Sequence, residues 1–107
     1  MKKAIIVQPI ENKDKEEILE NQQDAIKYLQ SKEYEIISMH LTDEVIELIK
    51  SSPKNILTYI GNLIKNLIQC DTVYFTTGWT LSKECRIVRL ACLLYDIKIE
   101  NDKTIED

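Results

Sequence analysis

The sequence predicts a small α/β protein, a doubly wound, Rossmann-like three-layer sandwich around a central parallel sheet of about four strands. Short apolar runs alternate along the chain with longer amphipathic segments, which is typical of parallel strands joined by crossover helices. The first run, KKAIIVQ, is apolar at consecutive positions, as expected of a strand that is buried on both faces. We therefore expect helices on both sides of the sheet.

Four runs predict the strands: KKAIIVQ, YEIISM at 34–39, DTVYFT at 71–76 and IKIE at 97–100. Four segments predict the helices: Lys15 to Lys32, DEVIELIK at 43–50 after a cap at Thr42 or Asp43, the segment from Pro53 capped by Ser52, and Ser82 to Tyr95. The helix after Ser52 has the clearest apolar stripe, at 56, 57, 60, 63, 64, 67 and 68. We expect one domain over residues 1–107, with a polar tail from about residue 101.

Composition narrows the class of protein. The 107 residues are 44% apolar and 30% charged, which is ordinary for a globular domain. The net charge of −4 argues against a nucleic-acid polymer as partner. The apolar runs are too short to span a membrane, and the first ten residues are too short for a signal peptide. Cys70, Cys85 and Cys92 form no CxxC pair, so we expect reduced cysteines in a cytoplasmic protein that holds neither a metal nor a cofactor.

The predicted fold directs attention to one rim, because ligands of open parallel sheets bind outside the carboxyl ends of the strands. Three stretches are expected there: Gln8, Pro9 and Ile10 after the first strand, His40 after the second, and Thr76 to Ser82 after the third. The candidates for ligand binding are the residues of the first two stretches, four residues of the third and two of the next helix: Gln8, Pro9, Ile10, His40, Thr77, Gly78, Trp79, Ser82, Lys83 and Arg86.

Each residue in TTGWTLSKECR, at 76–86, has a structural and a functional interpretation. Gly78 is expected to allow a turn or a close approach of backbone to ligand. Trp79 is suited to stack on a nucleobase, to cap the sheet edge or to meet another subunit. Ser82 is a good helix cap, and the helix start beside it, with Lys83 and Arg86, also suits a phosphate or carboxylate.

Several catalytic interpretations are disfavoured. The stretch lacks the second glycine of a P-loop, which argues against nucleoside-triphosphate hydrolysis. His40, the single histidine, is more often a hydrogen-bonded structural residue than a base in such a position, and no pattern supplies it with metal-ligand partners. A Cys85 nucleophile would need that histidine close by.

The last predicted helix also indicates a partner. After Arg89 it reads LACLLY, which is apolar in every direction around the helix, so the sheet covers only part of it. We expect a homo-oligomer assembled through the 87–95 face.

The order of "KYLQSKEYEII", "CDTVYF" and "GW…SK.CR" before a helix resembles the nucleoside 2-deoxyribosyltransferase-like superfamily, specifically a small branch of largely uncharacterised bacterial and phage proteins. The resemblance covers residues 3–99 and implies a doubly wound parallel domain. It also implies a nucleoside or nucleoside monophosphate at the rim, with cleavage of the N-glycosidic bond by a glutamate near the start of the helix after the third strand.

The chain departs from the pattern of that branch, which runs Ser-Lys-Gly-Cys-Arg-hydrophobic-Glu with a glycine after the helix. Ser82, Lys83, Cys85 and Arg86 match, but Glu84 replaces the glycine, Val88 replaces the glutamate and Asp96 stands at the later glycine. A valine cannot form a glycosyl–enzyme ester. The resemblance therefore implies a nucleotide-type pocket without its expected nucleophile.

Three functions follow as hypotheses. The first is a protein that binds a nucleoside, nucleotide or nucleotide-derived signal without turnover, such as a phage protein that sequesters a defence nucleotide in the host cytoplasm. The second is an active N-ribosyl hydrolase or deoxyribosyltransferase that uses Glu84. The third is an oligomeric structural or adaptor protein whose LACLLY face serves assembly.

Overall fold

The computed structural model describes residues 1–101; the predicted polar tail falls almost entirely outside them. The elements in chain order are β1 (Lys3–Val7), α1 (Lys15–Ser31), β2 (Glu35–Ile36), α2 (Asp43–Lys50), α3 (Pro53–Asn66), β3 (Thr72–Phe75), α4 (Lys83–Leu94) and β4 (Lys98–Asn101). Single 3-10 turns at Leu67–Gln69 and Trp79–Leu81 precede β3 and α4.

The four strands form one sheet in the order β2-β1-β3-β4, and all three pairs are parallel. The central pair runs from Ala4 opposite Thr72 to Val7 opposite Phe75. The Lys3 amide extends it by donating to Asp71 Oδ2 at 2.8 Å. The predicted doubly wound parallel sandwich is confirmed.

The alternation of side chains along the central strands divides the core into two layers. Ala4, Ile6 and Tyr74 face α1, where they pack with Ala25 and Leu29. Their neighbours in sequence face the larger layer, which α2, α3 and α4 cover; it includes Ile5, Val7, Val73, Phe75, Ile60, Leu63, Cys85, Val88 and Cys92. Because consecutive residues point to opposite faces, a strand covered on both sides must be apolar throughout.

Side-chain caps start the three helices of the larger layer. Thr42, Ser52 and Ser82 each accept a hydrogen bond from the backbone N–H three residues later, at 3.3, 3.2 and 3.2 Å. These bonds satisfy amides that have no partner within the helix, and they confirm the predicted caps.

Left-handed residues end α1 and α4. Glu33 has φ +64° and Asp96 has φ +57°. In both cases the next amide bonds back across the last turn, from Tyr34 to Leu29 and from Ile97 to Cys92, each at 3.0 Å. Glycine is the residue best suited to this geometry, and Asp96 adopts it in place of a glycine.

Two elements differ from their predictions. The second strand, predicted over 34–39, contains only Glu35–Ile36, because Ser38 Oγ, not a backbone carbonyl, accepts from the Ile6 amide at 3.0 Å. The apolar stripe of α3 is not one buried face: Ile60 and Leu63 are buried, whereas Leu57 is 63% exposed. Among residues 1–101 there is no helix with the length and apolar character needed to cross a membrane.

Candidate functional site

A cleft of about 240 Å³ lies at the carboxyl ends of β1 and β3. The chain leaves β1 towards one edge of the sheet and β3 towards the other, so this central pair is the topological switch point, where doubly wound folds bind ligands. The β1–α1 loop forms one wall and the β3–α4 loop the other; the lining residues are Pro9, Asn12, Lys13, Gly78, Leu81, Ser82 and Glu84.

The two walls are tied together by Glu84, which is 3% exposed. Its Oε2 atom accepts hydrogen bonds from the amides of Ile10 at 2.9 Å and Glu11 at 2.8 Å. The carboxylate therefore links the first turn of α4 to the loop after β1. It satisfies two backbone donors, one of which belongs to a fully buried residue.

The pKa of the Glu84 carboxyl is set by opposing effects. Burial raises the pKa, but the hydrogen bonds from Glu11, Ile10, its own amide and Ser82 together outweigh burial, so the pKa is lowered. Glu84 is thus ionised at neutral pH, and its charge is directed at the protein's own backbone.

Gly78 has φ +89°, a left-handed conformation that allows the β3–α4 loop to turn beneath a lysine. A Cβ atom added to Gly78 would lie 2.9 Å from Cε and 3.0 Å from Nζ of Lys13. The turn interpretation of this glycine is therefore confirmed, and the group close to its backbone is the Lys13 side chain. A close approach of this backbone to a ligand stays a prediction. Lys13 also pairs with Glu17 at 3.1 Å.

Trp79 is 6% exposed and lies behind the cleft, not in it. Its ring contacts Phe75, with centroids 5.8 Å apart, and the guanidinium of Arg89 lies 4.2 Å from its ring centre. The Nε1 atom is buried without a hydrogen-bond partner. Stacking of a base on this indole would require Arg89 to move, so the geometry favours a packing role.

Lys83 and Arg86 lie on the outer side of α4. With Trp79 and Leu90 they line a shallow, mainly apolar depression of about 680 Å³. Lys83 also pairs with Glu11 at 3.7 Å. The predicted cations are therefore close to the cleft but outside it.

Ser82 lines the cleft, but its hydroxyl is committed to the cap of α4. Cys85, beneath it, is fully buried, and burial raises the pKa of its thiol to about 12. A thiol that stays protonated at neutral pH is a poor nucleophile.

The remaining candidates do not line the cleft. Gln8 is 1% exposed and borders a separate cavity of about 30 Å³ beside α3, and its Oε1 has no partner. Ile10 contributes only its backbone amide, and Thr77 is half-buried in the β3–α4 loop. His40 is exposed in the loop after β2 and does not line the cleft.

Three cleft residues were not among the candidates: Asn12 and Lys13, and also Leu81, which lies within the predicted rim stretch after the third strand. The first two belong to a polar segment that looked like an ordinary loop, and no motif singled them out. Within residues 1–101, no cluster of three or more His, Cys, Asp or Glu side chains is arranged to share a metal ion.

Comparisons of the chain with protein-family models, with curated proteins and with solved structures find no match. The resemblance to the nucleoside 2-deoxyribosyltransferase-like superfamily stays a prediction.

Proposed function

We propose that the protein binds a nucleoside, nucleotide or nucleotide-derived signal at the carboxyl rim of its sheet and releases it unchanged. The observation that carries the site is the cleft at the β1/β3 switch point. The sequence resemblance supports the class of ligand.

The chemistry of the cleft walls suits a hydroxyl-rich group such as a ribose. Lys13 and Asn12 supply donors, Glu84 and Asn12 supply acceptors, and Pro9 and Leu81 supply apolar surface. The volume of about 240 Å³ is below the roughly 300–1,000 Å³ of pockets that enclose whole drug-sized ligands. The rest of a nucleoside would therefore extend over the rim, where Leu81 is 85% exposed.

Two observations favour binding over turnover. Val88, at the position of the family's glutamate, is fully buried in the core. Glu84 is the carboxylate of the cleft, but Oε2 already accepts two backbone hydrogen bonds, which makes it a weaker nucleophile. An active hydrolase or transferase using Glu84 remains the alternative, and free base among the products would establish it.

The experiment is a calorimetric titration with a panel of nucleosides, deoxynucleosides, monophosphates and ADP-ribose, followed by chromatography of the released ligand. Lys13→Met is compared with Lys27→Met, which removes an exposed lysine from α1. We expect Lys13→Met to weaken binding about tenfold or more, because a hydrogen bond to a charged group contributes roughly 1.5–3 kcal/mol. Lys27→Met should leave binding unchanged. Absence of binding across the panel, or equal effects of the two variants, would contradict the proposal.

The proposal includes self-association through the 87–95 face of α4. This face exposes five large apolar residues: Ile87, Leu90, Leu93, Leu94 and Tyr95. A contiguous apolar patch of this kind is typical of a protein–protein contact.

A further inference from the structure

We propose that this face pairs with a second copy of the chain about a two-fold axis, with the two α4 helices antiparallel, giving a closed dimer. The inference rests on the self-association part of the proposed function and adds the partner, its orientation and its number. It is independent of the ligand in the cleft.

The outward face of α4 has the spacing of a helix-packing surface. Leu90 lies at its centre, directly opposite the buried Val88 and Cys92, and is 57% exposed. Ile87 and Leu94 flank it at helical spacing on one side and Leu93 on the other. These four side chains form a ridge whose members are 46–69% exposed.

Depressions lie on both sides of this ridge. One, of about 250 Å³, separates α4 from α3 and is lined by Ile56, Leu57 and Ile60 together with Ile87. The other is the depression of about 680 Å³ beside Trp79, which also borders Ile87 and Leu90. A ridge between two grooves matches a second copy of itself, because helices pack by placing the ridge of one into a groove of the other.

The charges along α4 decide the orientation. Arg86 is exposed at its N-terminal end, and Lys83 stays 74% exposed although it pairs with Glu11. This end also carries the positive end of the helix dipole. Asp96 is exposed just beyond its C-terminal end, where the dipole is negative. In a parallel pair the like ends would meet and repel. In an antiparallel pair each positive end meets a negative one.

The charged group of Arg89, in the middle of α4, points away from the apolar ridge. Its guanidinium lies over the indole of Trp79, so the centre of the ridge stays apolar. The patch is therefore apolar at its centre, with Lys83 and Arg86 at one end and Asp96 at the other. A surface that is self-complementary in this way forms an isologous contact, which closes at two copies and leaves no face for further growth.

Sedimentation equilibrium tests the surface. We expect the unmodified chain to be a dimer and Leu90→Glu to be monomeric, with at least a hundredfold weaker association, and with helix content retained by circular dichroism. The matched control is Leu48→Glu on α2, since Leu48 is 62% exposed and outside the patch. A monomeric unmodified chain, or a Leu90→Glu dimer, overturns the proposal. Neither result affects ligand binding to the cleft, which the calorimetric titration measures separately.

Cysteine cross-linking tests the orientation. Cys85 and Cys92 are buried, and the half-buried Cys70 is replaced by serine so that no accessible native cysteine contributes to cross-linking. In an antiparallel pair Leu90 lies near its own copy, whereas Leu94 lies near Arg86. Leu90→Cys should therefore give covalent dimers on oxidation, and Leu94→Cys alone should give at least tenfold fewer. Equal cross-linking by the two variants would mean a parallel pair and overturn the antiparallel assignment.

Discussion

The tie between Glu84 and the β1–α1 loop gives the sharpest prediction for stability. Removing the carboxylate in Glu84→Ala leaves two backbone donors, the Ile10 and Glu11 amides, without their acceptor. A buried donor left unsatisfied costs about 1–3 kcal/mol. Because the Ile10 amide is buried and the Glu11 amide is only half-buried, we expect Glu84→Ala to lower the free energy of unfolding by about 2–4 kcal/mol. Glu84→Gln keeps an acceptor oxygen and loses the charge, so we expect a loss of about 1–2 kcal/mol.

The chain provides a matched control in Glu44, which holds the same position in α2, two residues after the Thr42 cap. Glu44 is exposed, so Glu44→Gln should change stability by less than about 1 kcal/mol, the scale of a charge near a helix terminus. The assay is urea unfolding of the unmodified chain and the three variants at pH 7, monitored by circular dichroism.

The pH dependence follows from the lowered pKa of Glu84. A carboxyl whose folded pKa lies below its ordinary value of 4.5 contributes stability above that pH, and loses it as the pH falls through the folded pKa. The difference between the unmodified chain and Glu84→Gln should thus be constant from pH 6 to 8 and shrink below about pH 4. A difference that grows on acidification, or Glu84→Gln indistinguishable from Glu44→Gln, would refute the reasoning.

Two further predictions concern backbone geometry and use the same unfolding assay. Gly78→Ala places a Cβ at φ +89° against Lys13 and should lower the free energy of unfolding by about 1–2 kcal/mol. Gly61→Ala, in α3, meets nothing within 4 Å and should raise the free energy of unfolding by about 0.5–1 kcal/mol. The opposite order of the two variants would contradict the loop geometry. Asp96→Gly relieves a left-handed residue at φ +57° after α4 and should stabilise by about 0.5–1 kcal/mol, so a clear loss of stability would show that the aspartate side chain has a role of its own.

Most of the fold was predictable because it depends on local patterns. The alternation of apolar runs with capped amphipathic segments places all four strands and four helices, and Ser52 and Ser82 mark their helix starts correctly. The length of β2 was not predictable, because whether Ser38 replaces the backbone in bonding to Ile6 depends on a contact between residues 32 positions apart.

The position of the candidate site in the fold was predictable, but the side chains that line it were less so. The rim after β1 and β3 follows from topology, and Pro9, Gly78 and Ser82 do line the cleft. A tryptophan beside a glycine suggested an exposed stacking surface. The ring is instead covered by Arg89, which lies ten residues further on in the second turn of α4, and no local pattern reveals this contact.

The order of the strands also determines when the protein can fold. β1 pairs with β2 and β3, and its contact with Asp71 joins residues 68 positions apart, so the centre of the sheet closes only after a long segment has been brought into place. Such nonlocal parallel pairing is intrinsically slow to form. Until β3 arrives, the apolar run KAIIV lacks one of its two neighbours and is the stretch most exposed to pairing with another chain. The central strand β1 is thus the strand most at risk of aggregation before β3 pairs with it.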